Sequence, residues 1–187
     1  MSPTVVDRLH GEYSALLELP QLAGEPSLRS AADDSFRKAL LMAAASHFEQ
    51  RMTDAVLQFT AEATANNHVL TWLVRNRVVR RQYHTWFDWD GKNANSFFGM
   101  FGDEFRKAMN ASVAQDDDIK ASIQAFLEVG RERNRLVHQD FGSFTLEKTS
   151  EEIYILYGTA LRFVDWFPGA IKRYDGEQSL TTESSDG

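Results

Sequence analysis

The sequence contains no cysteine and only four prolines among its 187 residues. Without cysteine the chain can form no disulfide, cannot use a thiol nucleophile and cannot hold a cysteine-ligated zinc or iron–sulfur centre. Any catalytic chemistry must therefore come from histidine, carboxylate, arginine, lysine or hydroxyl side chains. Because proline interrupts helices, its scarcity also permits long helices.

Long apolar segments are missing too. The longest wholly apolar stretch, Ala39–Ala45, is far shorter than the roughly 20 residues that a membrane-spanning helix requires. No basic segment followed by an apolar run opens the chain, so no secretory signal is recognised. We therefore expect a soluble, cytoplasmic protein that has no membrane partner.

Strand patterns and internal repeats are absent. The short apolar runs at 78–79 and 153–156 both lie inside helical periods. Apolar residues instead recur three and four positions apart, most regularly over residues 33–65, 69–83, 117–139 and 151–167. This periodicity predicts an all-α, up-and-down helical bundle.

The predicted organisation is a single helical domain over residues 1–174. It begins with a helix over 4–19, followed by a loop over 20–29. The last helix should end or bend at Pro168-Gly169. Residues 175–187 are polar and acidic, so we expect a disordered tail, although the tail could also occupy a basic cleft.

The net charge of −7 argues against a nucleic-acid partner, but charge acts locally. Asp116–Asp118 carry three of these negative charges and the tail carries four, so the remainder of the chain is neutral. Two basic segments stand out within that remainder. They are residues 75–81, with Arg75, Arg77, Arg80 and Arg81, and residues 131–135, with Arg131, Arg133 and Arg135 against Glu132.

The most informative segment is FLEVGRERNRLVHQDF, residues 126–141. On a helix, one stripe contains Phe126, Val129, Gly130, Arg133, Leu136 and Val137, and the adjacent face contains Arg131, Asn134, Arg135 and His138. Arg133 thus falls where a core residue belongs. Because burial cannot neutralise a guanidinium, Arg133 needs a carboxylate partner, a wet cleft or an anionic ligand.

Gly130 leaves room for another helix to approach closely. A two-fold pairing of this helix with its copy would bring two arginines and two histidines into one cleft. The structural alternative is that Arg133 extends to solvent or forms an ion pair, and that His138 is only a cation at a helix end.

The string RNRLVH, residues 133–138, matches the R-x4-6-H signature of the HEPN superfamily, including the polar residue that follows the arginine. The segment QYHTWFDWDGKNANSFFGMFG (82–102), the motif helix and TLEK (145–148) together resemble the RiboL-PSP-HEPN group. The resemblance covers residues 35–170. It implies a HEPN-type bundle with additional short helices.

The resemblance also implies a metal-independent endoribonuclease that works as a homodimer with a composite active site. His138 would be the acid/base group, since an imidazole with a pKa of about 6.5 suits proton transfer near neutrality. Arg133 would clamp the phosphate, and Asn134 would orient the site or donate to the phosphate. Whether His138 is the base, the acid or a positioning group stays open. Arg131 and Arg135 are candidates for supporting or RNA contacts.

The other basic segment, residues 75–81, lies within the longer segment Trp72–Trp89, which mixes arginines with aromatic residues. This longer segment could hold single-stranded RNA by phosphate contacts and base stacking. Alternatively, its aromatic residues belong to the core and its arginines to the solvated face or a dimer interface. His84 and Asp88 have a ligand-like spacing, but no second histidine is near, so we expect no metal site and no cofactor. The other three histidines, His10, His47 and His68, are interpreted as structural.

The resemblance further implies a toxin or effector of toxin–antitoxin or phage-defence systems, restrained by an antitoxin or regulatory partner. The competing hypothesis is a non-catalytic helical module in which the same residues bind RNA or a protein. A third hypothesis is a regulatory subunit that makes no RNA contact. The chemistry of the RNA ends separates the first two hypotheses, because only the enzyme leaves 2′,3′-cyclic phosphates.

Overall fold

The structure is a computed structural model that describes residues 2–20, 24–140 and 142–183, with side chains described as far as residue 178. Within these ranges the chain forms eight α-helices and no strand, which confirms the predicted all-α fold. The helices are α1 (Val5–Leu17), α2 (Pro26–Ala63), α3 (His68–Val74), α4 (Tyr83–Trp86), α5 (Asn95–Gly99), α6 (Asp103–Ala114), α7 (Asp117–His138) and α8 (Ser150–Glu183). A π-helical turn, Arg75–Val79, extends α3.

The three long helices α2, α7 and α8 pack against one another and enclose an aromatic core. The ring of Phe126 on α7 lies 5.5 Å from Phe48 on α2 and 5.2 Å from Phe163 on α8. All three side chains are at least 99% buried. Burying such a side chain stabilises the fold by about 1.5–3 kcal/mol, so this core sets the relative positions of the long helices.

Helix α7 begins and ends as its sequence predicts. The side chain of Asp116 accepts a hydrogen bond from the backbone N–H of Ile119 at 3.0 Å and caps the helix. Acidic residues occupy the first turn, and Arg135 and His138 occupy the last, an arrangement that complements the helix dipole. The predicted span of 117–139 therefore agrees with the observed helix to within one residue.

The last helix is longer than predicted. It starts after Thr149, whose hydroxyl accepts from the N–H of Glu152 while Glu152 accepts from the N–H of Thr149. It then continues through Pro168 to Glu183, so of the two outcomes predicted at Pro168-Gly169, an end or a bend, the end does not occur, and residues 175–183 are helical instead of disordered.

Burial explains this continuation. Phe167, Ala170 and Ile171 are all at least 98% buried and anchor the helix on both sides of the proline, which offsets the lost backbone hydrogen bond. The ring of Tyr174 also packs edge-on against Phe105 at 5.1 Å. Residues 184–187 of the predicted tail lie outside the described residues.

The loop between α1 and α2 is shorter than the predicted 20–29. Helix α2 begins at Pro26, because proline has no N–H to satisfy and its fixed φ suits the first helical turn. Residues 26–29 are therefore helical, and residues 21–23 of the predicted loop lie outside the described residues.

The helix predicted over 69–83 is broken. After the π-helical turn, Arg81 adopts a positive φ of 59°, and the chain turns into α4. The indole N–H of Trp86 donates to the carbonyl of Val78 at 3.0 Å, so that carbonyl no longer serves the helical ladder. The break directs the segment 81–89 toward α7.

Candidate active site

A cavity of about 320 Å³ lies between α2, α7 and the segment 81–89. Its volume is at the lower end of the range typical of small-ligand pockets. The side chains that line it come from three parts of the sequence that are far apart. They are Ala45, Phe48 and Glu49; Arg81, Tyr83, His84 and Trp89; and Phe126, Val129, Gly130, Arg133, Asn134, Val137 and His138.

The guanidinium of Arg133 is half-buried and faces this cavity. Its Nη1 donates a hydrogen bond to Oδ1 of Asn134 at 3.1 Å. Among the residues that the structure describes, no carboxylate oxygen lies within 4.0 Å of Arg133. The sequence allows Arg133 a carboxylate partner, a wet cleft or an anionic ligand. The structure places Arg133 at a cleft and shows no ion pair between it and the described residues.

His138 lies in the last turn of α7, at the mouth of the cavity. Its side chain is exposed, and no other described residue forms a hydrogen bond or ion pair with the imidazole. The three residues of the RNRLVH string that were assigned to chemistry, Arg133, Asn134 and His138, therefore border one cavity within a single chain.

The apolar stripe of α7 is buried as predicted at Phe126, Val129, Gly130 and Leu136. Val137 is an exception, because its side chain is 48% exposed and borders the cavity instead of joining the core. The stripe thus ends where the cavity opens.

The predicted role of Gly130 is wrong in one respect. The residue does permit a close approach, but the approaching group is the indole of Trp89 from the same chain, not a second helix. A Cβ added to Gly130 would lie 2.0 Å from Cε3 of Trp89, far inside any real contact distance. The same indole donates its N–H to the carbonyl of His84 at 2.8 Å, so Trp89 ties His84 to α7.

The basic segment 75–81 divides into two parts. Arg81 lines the cavity, whereas Arg75, Arg77 and Arg80 are exposed outside its lining. Arg75 stacks over the ring of Trp72, with 5.8 Å between the guanidinium carbon and the ring centroid.

The alternative interpretation of the Trp72–Trp89 segment holds in part. Trp86 and Phe87 are core residues, as the structural alternative has it, and the arginines lie on the surface. Trp72 is not part of the core, because it is 59% exposed.

Arg131 and Arg135 lie beside the cavity and do not line it. Nη1 of Arg135 is 3.0 Å from Glu132, and Nε of Arg131 is 4.0 Å from the same carboxylate. Arg135 also stacks over the ring of Phe144 at 5.6 Å. Glu132 is therefore their ion-pair partner and reduces the local positive charge.

Sequence reasoning missed Glu49 and did not place Tyr83 and His84 beside Arg133. Glu49 lies on α2, one residue after Phe48 of the core stripe, and no local pattern marks it as part of a site. Tyr83 is 9% exposed, and its pKa is raised well above the ordinary value, chiefly by burial and then by Glu49, while Arg133 opposes the rise. His84 belongs to the Trp72–Trp89 segment for which RNA contact is one interpretation, and its spacing from Asp88 is ligand-like. The described residues contain no group of three or more histidine and carboxylate side chains placed to hold a metal ion.

His47 contrasts with the histidines of the cavity. Its Nδ1 shares a 2.8 Å hydrogen bond with the hydroxyl of Tyr157, which also donates to the hydroxyl of Thr4 at 2.9 Å. Burial lowers the pKa of His47, and the nearby Arg51 lowers it further. This imidazole is part of a hydrogen-bond network formed with other residues of the same chain.

Comparison with known families gives a match to RiboL-PSP-HEPN over residues 7–173. The chain belongs to the RiboL-PSP-HEPN family. This HEPN membership confirms the resemblance carried by residues 133–138, and it associates the chain with RNA-related, nuclease-type functions. No curated protein and no solved structure matches the chain. Among the described residues of this HEPN protein, no helix is both long enough and apolar enough to cross a membrane.

Proposed function

We propose that this HEPN protein is a metal-independent endoribonuclease and that the cavity bordered by Arg133, Asn134 and His138 is its active site. The observation that carries the proposal is that Arg133, without a carboxylate partner among the described residues, and the exposed imidazole of His138 border the same cavity. A cation of this kind can bind a phosphate without first breaking an ion pair.

The proposed reaction is attack of a ribose 2′-oxygen on the adjacent phosphorus. The 2′-OH proton passes to a base, a new P–O2′ bond forms and the P–O5′ bond breaks, which leaves a 2′,3′-cyclic phosphate and a protonated 5′-OH. Arg133 donates two parallel hydrogen bonds to the phosphate, and His138 transfers a proton. Asn134 orients Arg133 through the hydrogen bond between their side chains.

RNA outside the cavity would follow the basic surface. Arg81 would bind a phosphate next to the scissile one, because it lines the same cavity. Arg75, Arg77 and Arg80 would extend this path along the exposed face of the π-helical turn and its end. Arg131 and Arg135 would contribute less, since both interact with Glu132.

We further propose a homodimer in which the two copies face each other at their cavities. Val137 and His138 support this, because both are exposed at the mouth, where a second copy can reach them. A mixed dimer of wild-type and His138→Ala chains tests the composite site. We expect reduced cleavage per wild-type chain, and full retention would exclude the composite arrangement.

In the cell, the proposed enzyme is a toxin or effector of toxin–antitoxin or phage-defence systems, controlled by an antitoxin or another regulatory protein. An RNase with an open, preformed cavity needs such control. Induction in growing cells tests this role: we expect growth arrest with wild type and normal growth with Arg133→Ala at equal protein levels.

The biochemical test uses purified wild type, Arg133→Ala, His138→Ala and the control Arg162→Ala with total RNA in EDTA. Arg162 is an exposed arginine that pairs with Asp118 on the surface, so its removal alters charge without touching the cavity. We expect cyclic-phosphate ends from wild type and Arg162→Ala only. RNA binding without such ends would favour the non-catalytic module instead.

A further inference from the structure

The inner wall of the cavity is aromatic. Phe48, Tyr83, Trp89 and Phe126 all line it, and the rings of Trp89 and Phe126 lie 5.9 Å apart at 30° to each other. Phe48 and Phe126 are buried, whereas Trp89 is only half-buried and borders the open space. The accessible part of the Trp89 indole offers a stacking surface to the π face of a nucleobase.

One carboxylate faces the same space. Glu49 lines the cavity and is exposed, and its carboxylate forms no hydrogen bond or ion pair with another described residue. A carboxylate repels phosphate, so it does not serve the RNA backbone. It accepts hydrogen bonds from N–H groups, and in a nucleotide those groups belong to the base.

Tyr83 lines the same cavity as Glu49 and Arg133. The side chain is only 9% exposed, and its hydroxyl has no hydrogen-bond partner among the described residues. The lining of the cavity therefore includes a carboxylate on α2, a tyrosine hydroxyl and the cation of Arg133 on α7.

We infer that the cavity is a nucleobase subsite of the proposed nuclease and that Glu49 selects guanine. The inference rests on the proposed function, because it takes the phosphate of the same nucleotide to lie at Arg133. Guanine presents two adjacent donors, N1–H and N2–H, which match the two oxygens of one carboxylate. Its O6 accepts from the hydroxyl of Tyr83.

The other bases match this arrangement less well. Adenine and cytosine each present one amino group beside a ring nitrogen that only accepts, and that nitrogen repels a carboxylate. Uracil presents one N–H between two carbonyl oxygens. Guanine is thus the base that satisfies Glu49 and Tyr83 together.

The first test measures binding without cleavage. Guanosine 3′-monophosphate and uridine 3′-monophosphate are titrated into the full chain by calorimetry, since neither has a bond to cut. We expect the guanine nucleotide to bind about tenfold more tightly, the discrimination typical of one good bidentate contact. Equal affinities for the two nucleotides would overturn the inference.

The variant Glu49→Gln replaces an acceptor by an amide of nearly the same shape. We expect it to lose the preference for guanine while unfolding at the same temperature as wild type. Glu12→Gln is the matched control, because Glu12 is exposed on α1 away from the cavity. Discrimination that survives in Glu49→Gln would overturn the role of Glu49.

Mapping the cut sites separates this inference from the nuclease proposal. Both the nuclease proposal and the guanine subsite are supported if wild type cuts mainly beside guanines, Glu49→Gln cuts beside all four bases, and both activities depend on Arg133. Arg133-dependent cleavage with no base preference in wild type overturns the guanine subsite alone. Guanine-selective binding with no cleavage overturns the nuclease proposal and supports the subsite.

Discussion

Two parts of this molecule combine a histidine, an arginine and a tyrosine, and they differ in how fully those groups are satisfied. Where α1, α2 and α8 meet, His47 is hydrogen-bonded to Tyr157, which in turn reaches Thr4. Arg51 pairs with Asp165 at 2.7 Å in the same region. His47, Tyr157 and Arg51 thus each have a hydrogen-bond or ion-pair partner within the chain, so we interpret this network as structural.

The cavity contains the same types of residue, but these side chains have fewer hydrogen-bond and ion-pair partners among the described residues. Among the described residues, His138 is exposed without a partner, Arg133 forms a hydrogen bond only with the amide of Asn134, and the hydroxyl of Tyr83 has no hydrogen-bond partner. Groups of this kind can exchange their contacts with water for contacts with a ligand. The comparison teaches that residue type alone does not distinguish a site from a structural network, whereas hydrogen-bond satisfaction does.

The sharpest test of this comparison replaces each histidine by alanine. For His138→Ala we expect a loss of cleavage of about 10²–10⁴-fold, the usual contribution of a proton-transfer group, with unfolding unchanged. For His47→Ala we expect cleavage to persist while the free energy of unfolding falls by about 1–3 kcal/mol, because the hydroxyl of Tyr157 loses a partner. Cleavage assays and denaturant unfolding of both variants measure this. Loss of cleavage in His47→Ala together with loss of stability in His138→Ala would show that the roles we assign to the two histidines are reversed.

The arginines give the second test. Arg133→Gln should lower the cleavage rate by about 10²–10³-fold, because a preorganised cation no longer stabilises the phosphate. Arg51→Gln removes an ion pair that is 39% exposed at the arginine, so we expect under about 1 kcal/mol of lost stability and normal cleavage. Unfolding of Arg133→Gln at a clearly lower temperature would instead identify Arg133 as a structural residue.

Two glycine-to-alanine variants test whether cleavage requires Trp89 to pack against α7. Gly130→Ala places a Cβ 2.0 Å from the indole, so Trp89 and the attached His84 must move. We expect cleavage to fall by up to about 100-fold, as a misplaced site does, and stability to fall by about 1–3 kcal/mol. Gly158→Ala is the control, since nothing lies within 4 Å of its added Cβ. Equal behaviour of the two variants in both assays would show that the Trp89 contact is dispensable.

A smaller effect is expected from the surface arginines. Arg81→Ala should weaken RNA binding and reduce the slope of log affinity against log salt concentration by about 1, because it removes a phosphate contact at the cavity. Arg77→Ala, outside the lining, should have a lesser effect. If charge reversal at Arg75, Arg77, Arg80 and Arg81 together leaves RNA affinity unchanged, the protein does not bind RNA through this surface.

The smallest effect concerns pH and stability. Since burial lowers the pKa of His47 below its ordinary value of 6.5, the unfolded chain takes up a proton more readily than the folded one. Stability from the neutral imidazole is present above pH 6.5 and is lost as the pH falls through the lower folded-state value. We expect His47→Gln to flatten this part of the stability profile, measured by denaturant unfolding between pH 4 and 8. An unchanged profile would assign the acid sensitivity to other groups.

Local features of the fold could be predicted because they depend on neighbouring residues. The span and the apolar stripe of α7 are encoded within a few turns, and so is the succession Arg133, Asn134, His138 on adjacent faces of the helix. Glycine also acts locally between α5 and α6: α5 ends at Gly99, and Gly102 has a φ of +104° before α6.

The errors arose where distant residues compete with local preference. The break after Val79 depends on the indole of Trp86 taking the carbonyl of Val78, which no helical period reveals. Pro168 fails to end α8 because buried residues on both sides hold the helix against the core. In each case a tertiary contact outweighs a local preference for or against helix, which is worth about 1–3 kcal/mol.

By itself, then, the sequence determined an all-α chain and one helix turn that carries an arginine, an amide and an imidazole, because helical geometry follows from local spacing. Only the tertiary structure decided which other side chains join them. Glu49 and His84 are separated from Arg133 by many residues, and they meet it because the aromatic core joins α2 to α7 and Trp89 packs against Gly130. A cavity depends on packing between distant segments, and that packing has no local signature.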